Sequence, residues 1–272
     1  MTLKEEHLAL TSGLSLAGIA VDYFYRDVAQ SSFFEYRDEI IESVLKPNKT
    51  TAVHYYLADI QYRLKGIKSI FEDLDDMSEG YNLMVRMLKD AKLYPNTNIQ
   101  SPDFEQCDDN NGHFDCKCKP IIETWIEYIS DNLDKVNELI IHSAFQFIFQ
   151  DRKFLHDFHV ELADFIEGEI DNIKEKYPQF VTSKDRLKRQ YFPEWLKSAV
   201  FYRDKGTCTI CRRDLSNLIR NQNQIHIDHI VPLNIFGSND ASNMQLLCEK
   251  CNTTKGDRNT DTSSVNVPFW NE

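Results

Sequence analysis

Apolar residues recur at helical spacing through most of residues 1–180. The most regular pattern follows Pro120 and consists of Ile122, Trp125, Ile126, Ile129, Leu133, Val136, Ile140, Ala144 and Ile148. Steps of three and four residues place side chains on one face of a helix, so this segment is predicted to be one long core helix. Less regular patterns predict further helices over 4–29, 31–46, 51–75, 80–93 and 152–177. The simplest architecture for this region is an all-α bundle of about six helices.

The pattern changes in the last third of the chain. The run "QIHIDHIV" is rich in Ile and Val and ends before Pro232, which cannot continue a hydrogen-bonded ladder. It predicts a short strand with Asp228 and His229 where the strand opens into a loop. A buried Asp–His pair that serves only the structure would have the same sequence. A mainly α fold is therefore predicted, with a helical domain over 1–182 and a small separate domain over 183–272.

The charge is unevenly distributed along the 272 residues, whose formal net charge is −12. Residues 181–272 carry 13 Lys and Arg against 10 Asp and Glu, whereas residues 1–180 carry 18 against 33. A basic-leaning end on an acidic body is a hint of contact with a polyanion at that end. A solvated surface is the alternative interpretation of the same charges.

The seven cysteines do not have the distribution of a secreted disulfide framework, because four form two Cys-x-x-Cys pairs and three lie in one loop. This predicts a reducing, cytoplasmic location. The apolar run from Leu8 to Val21 follows an acidic leader and is interrupted by Thr and Ser, unlike a signal peptide. It is also too short to span a bilayer, so no membrane association is expected.

The two pairs are Cys208-x-x-Cys211 and Cys248-x-x-Cys251. Each pair can present two sulfurs on one tight turn, and together they can close a tetrahedral four-thiolate Zn²⁺ site. Four protein ligands leave no open position, so this zinc is predicted to be structural. Its binding would contribute on the order of 10 kcal/mol to a segment that is too small for its own core.

A long polar loop between Tyr94 and Pro120 contains the other cysteines. Cys107, His113, Cys116 and Cys118 could form a second metal cluster. The Cys-x-Cys spacing lacks the chelating turn of a Cys-x-x-Cys pair, so flexible loop cysteines without a metal are the favoured interpretation.

Four elements occur in a fixed order over about residues 200–258: "YRDKGTCTIC", "IDHIVP", Asn243 and "LCEKCNTTKG". This C-terminal region resembles the HNH endonucleases of the ββα-metal kind, and no resemblance extends to residues 1–180. The resemblance implies a zinc-stabilised ββα-metal domain that acts on DNA with Mg²⁺ or Mn²⁺.

The resemblance also implies a role for individual residues. His229 would be the general base that deprotonates the attacking water, and Asn243 would fix the second loop and orient the histidine. Asp228 and Asn252 would bind the catalytic divalent ion, and Lys255 would face phosphate. A histidine with an ordinary pKa of about 6.5 can accept a proton at working pH.

Three further residues have two interpretations each. His226 lies on the same strand face as Asp228, but a half-buried strand histidine with a local hydrogen bond is the simpler interpretation, and it is left out of the catalytic set. Arg212 and Arg213 follow the first zinc turn and are either phosphate contacts or ordinary surface residues.

The predicted function is a metal-dependent HNH endonuclease that cleaves DNA, acting as an effector in a bacterial defence or restriction-type system. Its helical domain would serve regulation, sensing or assembly, through a protein partner or self-association. The alternative is a zinc-stabilised nucleic-acid-binding module without catalysis, which would have no reason to retain Asp228, His229, Asn243 and Asn252 together. A zinc nucleobase deaminase is excluded, because the His-x-Glu element and the proline before the second cysteine pair are missing.

Overall fold

The computed structural model describes residues 9–26, 29–63, 74–95, 99–107, 112–216 and 225–263. This part of the chain contains ten α-helices and a two-stranded sheet. The elements are α1 (Leu10–Phe24), α2 (Ala29–Glu35), α3 (Arg37–Leu45), α4 (Ala52–Arg63), α5 (Met77–Asp90), α6 (Lys119–Asp131), α7 (Leu133–Ile148), α8 (Arg152–Lys176), α9 (Glu194–Arg203), β1 (Ile225–His229), β2 (Met244–Cys248) and α10 (Glu249–Lys255). The prediction of a mainly α fold with a small C-terminal sheet is confirmed.

The long helix predicted after Pro120 is two helices, α6 and α7, separated at Asn132. The Asn132 amide Nδ2 donates to the carbonyl of Tyr128 at 2.8 Å, and its backbone N–H donates to the carbonyl of Ile129 at 3.1 Å. These local bonds offer the backbone an alternative to the helical ladder, which ends α6 although the apolar stripe continues. Residues 4–8, 27–28 and 64–73 of the predicted helices lie outside the described residues.

The described chain forms two compact units. The first contains residues 9–20 and the described parts of 57–146. In it α5 packs against α6, and the rings of Tyr81 and Trp125 meet edge to face with centroids 5.5 Å apart. The Trp125 indole Nε1 donates to the carbonyl of Gln100 at 2.9 Å, which fixes the chain before the cysteine-containing loop against α6.

The second unit contains the described parts of 21–56 and 147–263. Its helical part is built around α8, whose Phe154 and Phe158 are fully buried and pack on Phe24 and Phe33. Its C-terminal part has a core of its own, formed by Phe192, Leu196, Val200, Cys208, Leu215, Ala241, Met244, Leu246, Leu247 and Cys248. The small sheet and the cysteine pairs therefore lie on a packed hydrophobic cluster.

A buried ionic group joins these two parts of the second unit. Asp204, at the end of α9, accepts from Arg152 of α8 at 2.9 Å, from Arg203 at 2.8 and 2.9 Å, and from the backbone N–H of Leu246 in β2 at 2.9 Å. All three side chains are at most 2% exposed. A buried charge is tolerated only when it is paired and hydrogen-bonded, and here both conditions hold.

The sheet is an antiparallel hairpin in which Asp228 is opposite Gln245 and His229 is opposite Met244. The predicted strand is confirmed, and α10 packs against both β1 and β2. The connection between the strands makes a close turn at Gly237, where a Cβ atom would lie 1.9 Å from the carbonyl oxygen of Val231. Only glycine fits this approach, which turns the chain back toward the end of β1 before β2 begins.

Candidate active site and zinc site

The four cysteines of the two Cys-x-x-Cys pairs lie together, with all four Sγ atoms within 4.8 Å of one another. Sulfur ligands about 2.3 Å from a tetrahedral Zn²⁺ are roughly 3.8 Å apart. Cys211 Sγ and Cys248 Sγ are 3.7 Å apart, and Cys208 and Cys248 are buried. The residues therefore fit the predicted structural zinc site.

Local backbone geometry forms both halves of this site. In the first half, the N–H of Cys208 donates to the carbonyl of Arg213 and the N–H of Arg212 donates to the carbonyl of Cys208, both at 2.9 Å. In the second half, Cys248 ends β2 and Cys251 lies in the first turn of α10. Burial raises the pKa of the Cys248 thiol, but hydrogen bonds from the backbone and thiol of Cys251 outweigh burial and lower it to about 7.

Asp228 and His229 occupy the end of β1, as predicted, and successive side chains of a strand point to opposite faces. Asp228 lies on the side of α10, where its Oδ2 is 3.0 Å from Lys255 Nζ. The two groups form an ion pair, but Asp228 Oδ2 accepts no hydrogen bond from the described residues. The carboxylate is thus held in place while one oxygen keeps its hydrogen-bonding capacity.

His229 is 3% exposed, and its ring packs edge to face on Phe192 with centroids 5.5 Å apart. Burial, followed by the positive charges of Arg189 and Lys255, lowers the pKa of His229 to about 3, although a hydrogen bond with the side chain of Asn239 partly opposes this shift. The imidazole is therefore neutral at physiological pH. Its Nε2 is buried and has no hydrogen-bond partner among the described residues, so no protein group competes for this nitrogen.

Asn243 holds together the loop that follows His229. Its Oδ1 accepts from the N–H of Val231 at 2.9 Å, and its Nδ2 donates to the carbonyls of Val231 at 3.0 Å and Ser238 at 2.9 Å. Its own carbonyl accepts from the N–H of Ile230 at 2.7 Å. These bonds fix the backbone on the C-terminal side of the histidine.

Asn252 lies on α10, one turn before Lys255, so both residues lie on the same side of that helix. Since Lys255 contacts Asp228, this is the side of α10 that packs on β1. A carboxylate and an amide are oxygen ligands of the kind that Mg²⁺ and Mn²⁺ prefer. The donor set fits a divalent ion that completes its coordination with water or phosphate oxygens.

Lys255 is placed differently from its predicted position facing phosphate. Its side chain is buried, and its Nζ donates to the carbonyl of His229 at 2.8 Å in addition to the ion pair with Asp228. It belongs to the interior of the site because the last turn of α10 lies directly on β1. Arg212 and Arg213, in contrast, are exposed on the first zinc turn.

Three residues near the site have no signal in the sequence. Asn239 bonds to His229 and also donates to the carbonyls of Leu45 at 3.1 Å and Lys188 at 3.0 Å. Asp240 is buried and accepts from the N–H of Ala52 at 2.7 Å and of Ser242 at 2.8 Å. Arg189 is exposed, donates to the carbonyl of Ile227 at 3.2 Å and adds positive charge near His229. "SND" is common in loops, and Arg189 is one of several basic residues in "KDRLKR", so only the fold reveals these contacts.

Residues 208–258 match the family model described as HNH endonuclease. The resemblance predicted for this C-terminal region is thereby confirmed. No curated protein and no solved structure matches the chain. Of the helices that the structure describes, none combines the length and the apolar character needed to cross a membrane.

Proposed function

We propose that residues 183–272 form a metal-dependent endonuclease domain that hydrolyses phosphodiester bonds in DNA. The observation that carries this proposal is the arrangement of Asp228 and His229. A neutral histidine with an unbonded Nε2 lies next to a carboxylate at the end of a strand, inside a region that matches the HNH endonuclease family. Metal-dependent nuclease chemistry uses a base and an anionic ligand for a cation, and these two residues supply one of each.

Each residue has a defined part in the proposed reaction. His229 accepts a proton from the water that attacks the phosphorus, and Asn243 keeps the following loop in place so that the ring direction is fixed. Asp228 and Asn252 would hold Mg²⁺ or Mn²⁺. The bound ion would neutralise charge on the phosphate and on the leaving oxygen. Lys255 orients the Asp228 carboxylate and the backbone of His229.

DNA would lie along the exposed cationic side chains around this site. Arg212 and Arg213 are exposed next to the zinc site, and Arg189 is exposed beside His229. Guanidinium groups bind phosphate oxygens well because they offer several fixed donors. His229 Nε2 is buried, so productive binding of DNA requires neighbouring side chains to move away from it.

The helical residues 1–182 would regulate or position this activity, through a protein partner or through self-association. A nuclease joined to a large acidic helical region is the kind of arrangement expected of an effector in a bacterial defence or restriction-type system. We place it in the cytoplasm, where thiols remain reduced and available for zinc. Expression of the full chain and of the His229→Ala variant in bacteria, followed by phage infection, tests this role. Equal phage yield with both chains would contradict it.

The burial of His229 and the ion pair of Lys255 with Asp228 also favour a second candidate, a zinc-stabilised nucleic-acid-binding module without catalysis. In such a module the charged residues would only stabilise one another. The two candidates differ in one outcome, because only the nuclease breaks DNA strands.

The experiment that tests the proposal is cleavage of supercoiled plasmid by the full chain in Mg²⁺, in Mn²⁺ and in EDTA. Cleavage in either metal and none in EDTA is expected. Asp228→Ala and Asn252→Ala should need more Mn²⁺ than the wild type, because each removes a ligand, whereas Glu249→Ala removes an acid of α10 outside the site and serves as the control. DNA binding without strand cleavage in any metal would favour the binding module.

A further inference from the structure

All seven cysteines of the chain lie in two clusters of possible metal ligands. Four form the zinc site described above. The other three, Cys107, Cys116 and Cys118, lie with His113 in the first compact unit, and one ligand atom from each of these four residues is within 4.8 Å of the others. The sequence favours loop cysteines without a metal, but the structure brings these four residues together. The missed signal is His113-x-x-Cys116, which has the two-residue spacing that the cysteines themselves lack.

The distances within this second cluster suit one tetrahedral ion. With Zn–N of about 2.05 Å and Zn–S of about 2.3 Å, the nitrogen and sulfur ligands of a tetrahedral zinc lie roughly 3.5 Å apart. His113 Nδ1 is 3.5 Å from Cys116 Sγ. The backbone N–H of Cys118 points to Cys116 Sγ at 3.3 Å, so this sulfur also receives a hydrogen bond from the backbone, as metal-bound thiolates commonly do.

The backbone before His113 is shaped for this arrangement. Gly112 and His113 both have positive φ, 70° and 64°. A Cβ atom at Gly112 would lie 2.2 Å from the carbonyl oxygen of Asp75, and the Gly112 carbonyl accepts from the N–H of Met77 at 2.9 Å. Left-handed backbone at a residue other than glycine is uncommon, and here it places His113 beside the start of α5.

The other end of the cluster is fixed to α6. Cys118 immediately precedes α6, is 1% exposed, and its carbonyl accepts from the N–H of Ile122 at 2.9 Å. His113 is buried, and its ring lies 4.8 Å from that of Phe104, which itself packs on Tyr81 of α5. Three thiols and an imidazole are thus directed toward one point between the starts of two packed helices.

We propose that Cys107, His113, Cys116 and Cys118 bind one Zn²⁺ ion, which fastens the cysteine-containing loop to the first turns of α5 and α6. Three thiolates and one imidazole are a ligand set that selects Zn²⁺ over the oxygen-preferring Mg²⁺ and Mn²⁺. Four protein ligands fill the tetrahedron, so the site is structural. Binding releases the thiol protons to solvent and transfers no electrons.

Elemental analysis of the purified full chain tests this proposal. The wild type should contain about two zinc ions per chain. His113→Ala and Cys116→Ser should each contain about one, because both changes remove the site of the loop, and Cys208→Ser/Cys248→Ser should also contain about one, because it removes the four-cysteine site. Asp115→Ser is the matched control: its side chain is 92% exposed in the same loop, and it should retain both ions.

X-ray absorption at the zinc edge identifies the ligands even if a variant folds poorly. The wild-type spectrum should contain a nitrogen contribution, which should disappear in His113→Cys while both zinc ions remain bound. A wild type with one zinc and an all-sulfur spectrum would overturn the proposal, and so would a disulfide between any two of these loop cysteines. Neither measurement depends on nuclease activity, so this proposal and the proposed function can fail separately.

Discussion

The two four-ligand clusters of this protein differ in spacing and in what they hold together. The four-cysteine cluster uses two Cys-x-x-Cys turns and lies beside the hairpin, where Cys248 ends β2 and Cys251 lies in the first turn of α10. The cluster of His113 with three cysteines uses irregular spacing and lies between the starts of α5 and α6 in the other compact unit. The comparison teaches that regular spacing is needed to recognise a zinc site in a sequence, whereas the fold can assemble a site from ligands without it.

The largest expected effect is on DNA cleavage, which should depend on the four-cysteine cluster and not on the cluster of His113. Cys208→Ser/Cys248→Ser should abolish DNA cleavage, since the hairpin and α10 that carry Asp228, His229 and Asn252 lose their common anchor. His113→Ala should lose one zinc and unfold at lower temperature but retain most of the cleavage. Plasmid cleavage and thermal unfolding are measured for both variants. Loss of cleavage in both would show that the clusters do not differ in this way.

The candidate active site is also held by contacts that involve no metal, and variants of Asn239 test how important these contacts are. Asn239→Ala removes the partner of His229 and leaves the buried carbonyl of Leu45 without its donor, which should cost about 1–3 kcal/mol in the free energy of unfolding. Cleavage should fall as well. Denaturant unfolding and cleavage rates measure the two effects.

The conservative variant Asn239→Asp separates positioning of the base from general stability. A carboxylate beside His229 favours the imidazolium, so the base should become protonated, and cleavage should decline, at a higher pH than in the wild type. Asn172→Ala, which alters an amide bonded to Glu169 elsewhere in the same unit, is the control and should shift neither property. An unchanged pH profile in Asn239→Asp would remove Asn239 from the site.

A smaller effect is expected from His159, which connects α8 to the segment before β2. Its Nε2 lies 2.9 Å from Ser242 Oγ. Burial is the main cause that lowers the pKa of His159 to about 3, with smaller contributions from the neighbouring His156, His229 and Arg203. In the unfolded chain His159 binds a proton near pH 6.5, whereas in the folded chain it stays neutral down to about pH 3. The free energy of unfolding therefore falls as the pH decreases from about 6.5 toward 3, by up to about 1.4 kcal/mol per pH unit for this group.

Comparison of His159→Gln with the wild type isolates this contribution. His229 has the same direction of pKa shift, while burial raises the pKa of Asp240, whose effect on stability has the opposite sign. Both residues remain in the variant, as do the zinc ligands, so their contributions cancel in the difference. Denaturant unfolding at about pH 7 and about pH 5 should show a weaker pH dependence in His159→Gln. An equal pH dependence of unfolding in both proteins would contradict the conclusion that His159 is neutral in the folded chain.

The smallest effect concerns the exposed face of the four-cysteine cluster. Replacing Arg212 and Arg213 by Ala should lower the salt dependence of DNA binding, with the slope of log affinity against log salt reduced by up to about 1.8 if both contact phosphate. Arg37→Ala is the control, because that arginine is paired with Glu169 at 2.9 Å. An unchanged slope in the double variant would make the two residues ordinary surface charges.

The hairpin and the four-cysteine site could be predicted from sequence because strand alternation and Cys-x-x-Cys spacing are local properties. Asn132 was missed because a single side chain ended a helix whose apolar stripe continued. Asn239 and the burial of Lys255 depend on contacts between segments far apart in the chain, for which one sequence has no signal. The boundary at residue 182 and the roles of the individual catalytic residues stay predictions.

The central claim is that His229 acts as the base of a nuclease, and the most direct test compares His229→Ala with His226→Ala. Both histidines lie on β1, and both have an Nε2 without a hydrogen-bond partner among the described residues, so they form a matched pair. Single-turnover cleavage of plasmid DNA in Mg²⁺ should fall by about 10²–10⁴-fold in His229→Ala and remain near the wild-type rate in His226→Ala, with zinc content and DNA binding retained in both. Cleavage by His229→Ala at the wild-type rate would contradict the claim.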